Sequence, residues 1–93
     1  MSQPDLIERE VEIVNRAGMH ARPASEFVKL AGQFQSEIRL EKDGFEVNGK
    51  SIMGVLMLAA ERGSTLVIRA DGADATDALK ALVGLVQRGF EED

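Results

Sequence analysis

The sequence predicts an α+β fold, an open-faced sandwich in which one four-stranded antiparallel sheet carries three helices on a single face. Four segments alternate apolar and polar residues, which is typical of strands buried on one side only. Three other segments place apolar residues at helical spacing, and the order along the chain is strand, helix, strand, strand, helix, strand, helix. Strands with one charged face do not suit a parallel sheet covered on both sides, whereas one antiparallel sheet buries every apolar stripe.

The first strand and helix are predicted in the amino-terminal third of the chain. Apolar residues alternate with glutamates over residues 7–14, and a break over residues 15–18 follows. We expect Pro23 in the first turn of the helix, where its missing N–H does no harm. Gly32 is the expected end of that helix. Its buried stripe is predicted to contain Ala24, Phe27, Val28, Leu30 and Ala31.

A hairpin and a second helix come next. Residues 36–42 alternate again, and Asp43-Gly44 is a typical two-residue hairpin turn. Residues 45–47 are therefore predicted to return as a short third strand. Ser51 then caps a helix that we expect to run from about Ile52 to Ala60.

The last strand and helix are predicted from residue 65 onward. Residues 65–70 alternate, and Asp74 and Asp77 place acids in the first turn of a helix, where the helix dipole favours them. Gly89 is the expected end of this helix. Because no repeat or linker interrupts the pattern, residues 1–93 are expected to form one domain.

Composition excludes several function classes. The chain has 93 residues, a net charge of −5, no cysteine and neither Trp nor Tyr. The acidic charge and the scarcity of aromatic residues argue against a nucleic-acid partner. The absence of cysteine excludes disulfides and thiolate metal sites. No signal peptide is visible and the most apolar stretch, residues 52–60, is too short for a bilayer, so we expect a soluble cytoplasmic monomer without a membrane partner.

The single histidine is the strongest candidate for chemistry. His20 lies where the strand pattern gives way to the helix pattern, so unpaired N–H groups and the positive end of the helix dipole are expected beside it. The dipole disfavours imidazolium and keeps the ring nucleophilic near neutral pH. Arg22, two residues later, can stabilise a phosphoryl group on that ring. Without this neighbour, a lone histidine would more simply be a cap or a packed turn residue.

Two segments resemble those of a known family. Residues 18–24 read Gly-Met-His-Ala-Arg-Pro-Ala, which resembles the active-site signature of HPr, the histidine-containing phosphocarrier of the bacterial phosphotransferase system. Residues 48–55 read Asn-Gly-Lys-Ser-Ile-Met-Gly-Val and are similar to the family's second signature, around a regulatory serine. The predicted order of strands and helices also matches the HPr fold.

The resemblance implies a function and its partners. His20 is expected to accept a phosphoryl group on Nδ1 from phosphorylated Enzyme I and to pass it to an EIIA-type domain, with Arg22 as its electrostatic partner. Ser51 is expected to be the target of an HPr kinase/phosphorylase where that enzyme exists. The protein would then be a reactant passed between enzymes rather than an enzyme, and it would need no cofactor and no metal. The resemblance leaves open whether the relay serves sugar transport or a regulatory branch.

The segment after Ser51 is predicted to be a docking surface. A short helix this apolar exposes part of its surface in so small a domain. We expect Ile52, Val55, Leu56 and Ala59 to face the sheet, which leaves Met53 and Met57 exposed. Arg16, Lys29 and Lys50 are candidates for a basic rim around this surface. The predicted partner-binding residues are Met19, Lys50, Ile52, Met53, Leu56 and Met57.

Two alternatives to phosphate relay arise from the same segment. A regulatory binding module would act mainly through the Ser51 helix and would survive loss of His20. Residues 44–51 also satisfy the P-loop pattern G-x-x-x-x-G-K-[ST]. That motif needs a loop between a parallel strand and a helix, whereas residues 45–47 have strand character, so we disfavour nucleotide hydrolysis.

Overall fold

The computed structural model describes residues 6–92. Residues 1–5 and Asp93, which the prediction of one domain includes, lie outside the described residues. The element order is the predicted one, with a short 3-10 turn added at the end. The elements are β1 (Leu6–Glu12), α1 (Ala21–Ala31), β2 (Glu37–Lys42), β3 (Phe45–Asn48), α2 (Ile52–Met57), β4 (Thr65–Asp71), α3 (Ala75–Gln87) and the 3-10 turn Gly89–Glu91.

The four strands form one antiparallel sheet in the order β1-β4-β2-β3. The predicted fold class is therefore confirmed. The period-two alternation sends one face of every strand toward the helices, as at Val11, Leu40 and Ile68, all of them buried. Phe27 of α1 and Leu82 of α3 are also buried and close the core against this face. No helix within residues 6–92 is long and apolar enough to cross a membrane.

The opposite face of the sheet is charged and bonded internally. Arg69 on β4 donates from Nε to Glu8 on β1 at 2.7 Å, and from Nη1 to Glu41 on β2 at 2.6 Å and to Glu46 on β3 at 3.0 Å. The hydrogen bonds to Glu41 and Glu8 raise the pKa of the Arg69 guanidinium. One side chain thus links all four strands on the face that carries no helix.

Helix α2 differs from its prediction in length and in orientation. It ends at Met57 rather than Ala60. The prediction that Ile52, Leu56 and Ala59 face the sheet is wrong, because all three are exposed, whereas Val55 and Leu58 are buried. The reason is Gly54, whose bare Cα approaches β3 so closely that an added Cβ would lie 3.3 Å from Val47 Cβ. The helix therefore packs through the stripe Ser51, Gly54, Val55 and Leu58.

The start of α3 also differs from its prediction. The sequence predicts Asp74 in the first turn of α3, but Asp74 lies at the N-cap, and its side chain caps nothing in its own helix. Instead its carboxylate accepts hydrogen bonds from the backbone N–H groups of Gln35 and Ser36 and from Ser36 Oγ. Asp74 therefore ties the start of α3 to the segment that leads into β2.

Candidate functional site

His20 is the N-cap residue of α1, and its side chain is 43% exposed. The ring makes no capping hydrogen bond. The first intrahelical bond runs from the N–H of Ala24 to the carbonyl of His20 at 2.9 Å. The N–H groups of Ala21 and Arg22 belong to the first turn, which offers them no intrahelical acceptor, and Pro23 has no N–H. An anion attached to the ring would therefore find two backbone donors beside it.

The loop before His20 is fixed against the segment that follows α2. Met19 donates its backbone N–H to the carbonyl of Ala60 at 2.8 Å. Gly18 has φ of +71°, and an added Cβ would lie 2.5 Å from the Ala60 carbonyl oxygen. The prediction that Met19 contacts a partner fails, because its side chain is 3% exposed and belongs to the core. Met19 anchors the loop, so the side chain that follows it is left at the surface.

Glu92, which no pattern in the sequence indicates, lies at the His20 ring. Its Oε1 is 3.2 Å from His20 Nε2 and also accepts a hydrogen bond from Asn15 Nδ2 at 3.1 Å. Partial burial acts to raise the pKa of the Glu92 carboxyl, but the hydrogen bonds from His20 and Asn15 and the charge of Arg22 outweigh it and lower that pKa. An ionised carboxylate accepts only, so a neutral ring in this contact carries its proton on Nε2 and its lone pair on Nδ1.

Arg22 lies near enough for its charge to act on Glu92, but it makes no hydrogen bond to the His20 ring. Its side chain is largely exposed, and Nε is 3.7 Å from Glu26 Oε2 one turn later. An exposed pair at this separation contributes little to stability. The guanidinium can therefore leave Glu26 at small cost when a stronger anion appears on His20.

Ser51 caps α2 as predicted. Its Oγ accepts a hydrogen bond from the N–H of Gly54 at 3.1 Å. Lys50, predicted at the docking rim, is tied to the segment that follows α1, because its Nζ donates to the carbonyl of Phe34 at 2.7 Å. Arg16 and Lys29 are exposed.

The outer surface of α2 is a patch of four apolar side chains. Met53 and Met57 are 67% and 64% exposed, and Ile52 and Leu56 are exposed to a lesser degree. We call these four residues the α2 patch. In the part of the chain that the structure describes, no group of three His, Asp or Glu side chains is placed to hold a metal ion.

Neither Asn15 nor Glu92 carries a sequence signal of its own. Asn15 lies in the predicted break, and Glu92 is 72 residues from His20. The one usable signal is Phe90, an apolar residue after the expected helix end, which predicts that the chain folds back onto the core. That signal locates the segment without identifying its contact.

Comparison with known proteins gives a consistent result. A family model described as PTS HPr component phosphorylation site matches residues 7–88. The chain is 42% identical over 87 residues to the phosphocarrier protein HPr of Neisseria meningitidis, covering 94% of this chain and 98% of that one. It is 43% identical over 86 residues to the phosphocarrier protein NPr of Proteus mirabilis, covering 91% and 96%.

A solved structure matches the fold closely. The crystal structure of HPr from Thermoanaerobacter tengcongensis superposes with a TM-score of 0.90 at 45% identity, covering 94% of this chain and 98% of that chain. The match therefore extends over almost the whole of both chains. Since the matched family segment contains both the His20 loop and the Ser51 helix, this chain belongs to the HPr family, the phosphocarriers of the phosphotransferase system.

Proposed function

We propose that His20 accepts a phosphoryl group on Nδ1 from phosphorylated Enzyme I and passes it to an EIIA-type domain. The observation that carries the proposal is the exposed ring at the start of α1, with Nε2 against the Glu92 carboxylate. This arrangement leaves Nδ1 as the nucleophile. The cytoplasm is the proposed compartment, and a single chain is the proposed carrier.

The surroundings of His20 support phosphoryl transfer in two ways. The N–H groups of Ala21 and Arg22 can donate to the oxygens of a phosphoryl group on the ring. The Arg22 guanidinium, held only by a long contact to Glu26, can turn onto the same oxygens. These groups stabilise the anion without sealing it from solvent, so the next acceptor can reach it.

The α2 patch is the proposed docking surface for donor and acceptor in turn. A transient interface needs an apolar centre with a polar rim, and exposed methionines adapt to partners of different shape. Ile52, Met53, Leu56 and Met57 would supply the centre. Arg16 and Lys29 would contribute to the rim, whereas Lys50 would act mainly by fixing the junction with α1.

Ser51 is the proposed site of regulation by an HPr kinase/phosphorylase. Its hydroxyl stands at the start of α2, where a phosphate would be favoured by the helix dipole, and the α2 patch begins at the next residue. A phosphate there would keep the helix but place negative charge beside an apolar docking surface. We expect weaker binding of Enzyme I as the result.

A second candidate function is a regulatory binding module that acts through the same helix. The observation that favours it is the extent of the α2 patch, which is exposed whether or not His20 reacts. The two functions separate cleanly, because His20→Ala removes phosphate relay and leaves the α2 patch intact.

The proposed function is tested by incubating the protein with Enzyme I and phosphoenolpyruvate. We expect the mass to rise by one phosphoryl group, which acid treatment removes, and we expect no gain for His20→Ala. EIIA-type acceptors from both the sugar and the nitrogen branches are then added to the labelled protein. A wild-type protein that gains no acid-labile phosphate would refute the relay, and partner binding by His20→Ala would then favour the regulatory module.

A further inference from the structure

The segment after α3 reverses direction and folds back toward the active-site loop. Gly89, Phe90 and Glu91 have φ of 65°, 56° and 61°. Residues other than glycine rarely adopt this left-handed region unless the surrounding structure holds them there. Phe90 supplies that constraint, because it is 2% exposed and packs in the core. The buried Phe90 therefore holds the backbone that leads to Glu92, two residues later.

Asn15 connects this segment to the loop that carries His20. Its side-chain nitrogen donates to the carbonyl of Gly18 at 2.8 Å and to Glu92 Oε1 at 3.1 Å. Asn15 is 1% exposed, and its Oδ1 is buried without a hydrogen-bond partner. The reversed amide would turn Oδ1 toward two acceptor oxygens and lose both bonds. The buried Asn15 side chain therefore links the loop that carries His20 to the segment after α3.

A single carboxylate oxygen of Glu92 accepts hydrogen bonds from two side chains. Glu92 Oε1 accepts from Asn15 and from His20 Nε2, so the amide fixes where the carboxylate stands and the carboxylate fixes the ring. When Nδ1 attacks phosphorus, positive charge develops on the ring. A carboxylate already bonded to Nε2–H is well placed to stabilise that charge.

We infer that Asn15 and Glu92 form a latch that positions the His20 ring for phosphoryl transfer, an inference that rests on the proposed function. In the transfer step the Nδ1 lone pair forms the N–P bond. The bond from phosphorus to the donor breaks, and its electron pair leaves with the donor. Nε2 keeps its proton, which stays hydrogen-bonded to Glu92. Glu92 and Asn15 are positioning residues, the second acting through the first.

Glu92→Leu tests the latch, with Glu91→Leu as the matched control. Glu91 is mostly exposed, and its carboxylate pairs with Arg88 at 3.3 Å. Two quantities are measured: the exchange of the His20 Nε2 proton with water by NMR, and the rate of phosphorylation by Enzyme I. We expect Glu92→Leu to accelerate the exchange and slow the transfer by about tenfold each, the equivalent of one charged hydrogen bond. Glu91→Leu is expected to change neither the proton exchange nor the transfer rate. Glu92→Gln keeps a hydrogen-bond acceptor, so we expect its values to lie between those of the wild type and Glu92→Leu.

The position of Asn15 in the latch is tested by combining variants. Asn15→Ala is expected to slow transfer in the wild-type background and to add a smaller loss in the Glu92→Leu background, where only its bond to Gly18 remains to be lost. Equal losses in both backgrounds would overturn the coupling. If Glu92→Leu matches Glu91→Leu in exchange and in rate, there is no latch. A wild-type protein that is never phosphorylated would instead sink the proposed function, and the proton exchange would still decide whether the latch exists.

Discussion

Met19 donates its backbone N–H to the carbonyl of Ala60 at 2.8 Å, so the residue before His20 is bonded to the segment that follows α2. The same carbonyl is approached by Gly18, whose φ is +71°. A backbone contact this close leaves no room for a side chain. The loop that carries His20 and the segment after α2 therefore share one anchoring point.

Gly18→Ala is expected to destabilise the protein by about 3 kcal/mol, because it adds left-handed strain to a backbone clash. Its Cβ would lie 2.5 Å from the Ala60 oxygen and 2.9 Å from Glu61 Cα. Gly63→Ala is the matched control, since Gly63 has φ of +90° but nothing within 4 Å of an added Cβ. We expect the control to lose only about 1 kcal/mol. Denaturant unfolding measures the stability of both variants. Equal losses of stability would mean that the contact between Gly18 and Ala60 does not contribute.

Much of the fold follows from periodicity, and the failures have identifiable causes. The alternation of apolar and charged residues predicts the strands because each strand buries one face. The spacing of apolar side chains predicts the wrong orientation for helix α2, because the helix packs through Gly54, where an added Cβ would lie 3.3 Å from Val47 Cβ on β3. A residue with no side chain carries no hydropathy signal, yet it decided which face of α2 packs.

Only part of the candidate site can be predicted from the sequence, because only part of it lies in one short segment. His20 and Arg22 are neighbours in sequence, so their combined chemistry is visible in a short segment. Glu92 reaches the ring only because Phe90 returns to the core and the chain reverses around it. Such a contact depends on tertiary packing, and pattern and spacing along the chain do not contain it.

Asp74→Asn is expected to lower the stability of the protein near neutral pH and to have little effect in acid. The hydrogen bond from Ser36 Oγ and those from the backbone of Gln35 and Ser36 lower the pKa of the Asp74 carboxyl from 3.8, despite opposing desolvation. A depressed folded-state pKa stabilises the fold above the unfolded value, and that stabilisation is lost as the pH falls below 3.8 through the folded value.

This prediction is tested by measuring denaturant midpoints of Asp74→Asn and the wild type, once at neutral pH and once well below the unfolded pKa of the Asp74 carboxyl. We expect the two midpoints to converge in acid. Asp77→Asn removes the same charge from an exposed position in the first turn of α3 and serves as the control. A difference for Asp74→Asn that stays constant with pH would show that the ionised carboxylate is not what ties α3 to β2.

Met53→Gln is expected to leave the fold intact and to slow phosphorylation by Enzyme I. The side chain is 67% exposed, so little core contact is lost, while the apolar centre of the proposed interface gains a polar group. We expect a several-fold rise in KM with little change in kcat. Phe45→Gln changes an exposed apolar residue on β3, outside the α2 patch, and should leave the kinetics unchanged. Similar kinetics for the two variants would place the docking surface elsewhere.

Ser51→Asp is expected to fold normally and to accept phosphate from Enzyme I roughly tenfold more slowly at low carrier concentration. Aspartate caps a helix as well as serine does, so the bond to the N–H of Gly54 survives the change. Ser51→Ala is the opposite control: it loses that bond and about 1 kcal/mol of stability but introduces no charge beside the α2 patch. Steady-state transfer and denaturant unfolding on both variants separate the two effects. If Ser51→Ala slows transfer as much as Ser51→Asp does, the helix cap and not the charge controls docking, and Ser51 phosphorylation would have no electrostatic route to regulation.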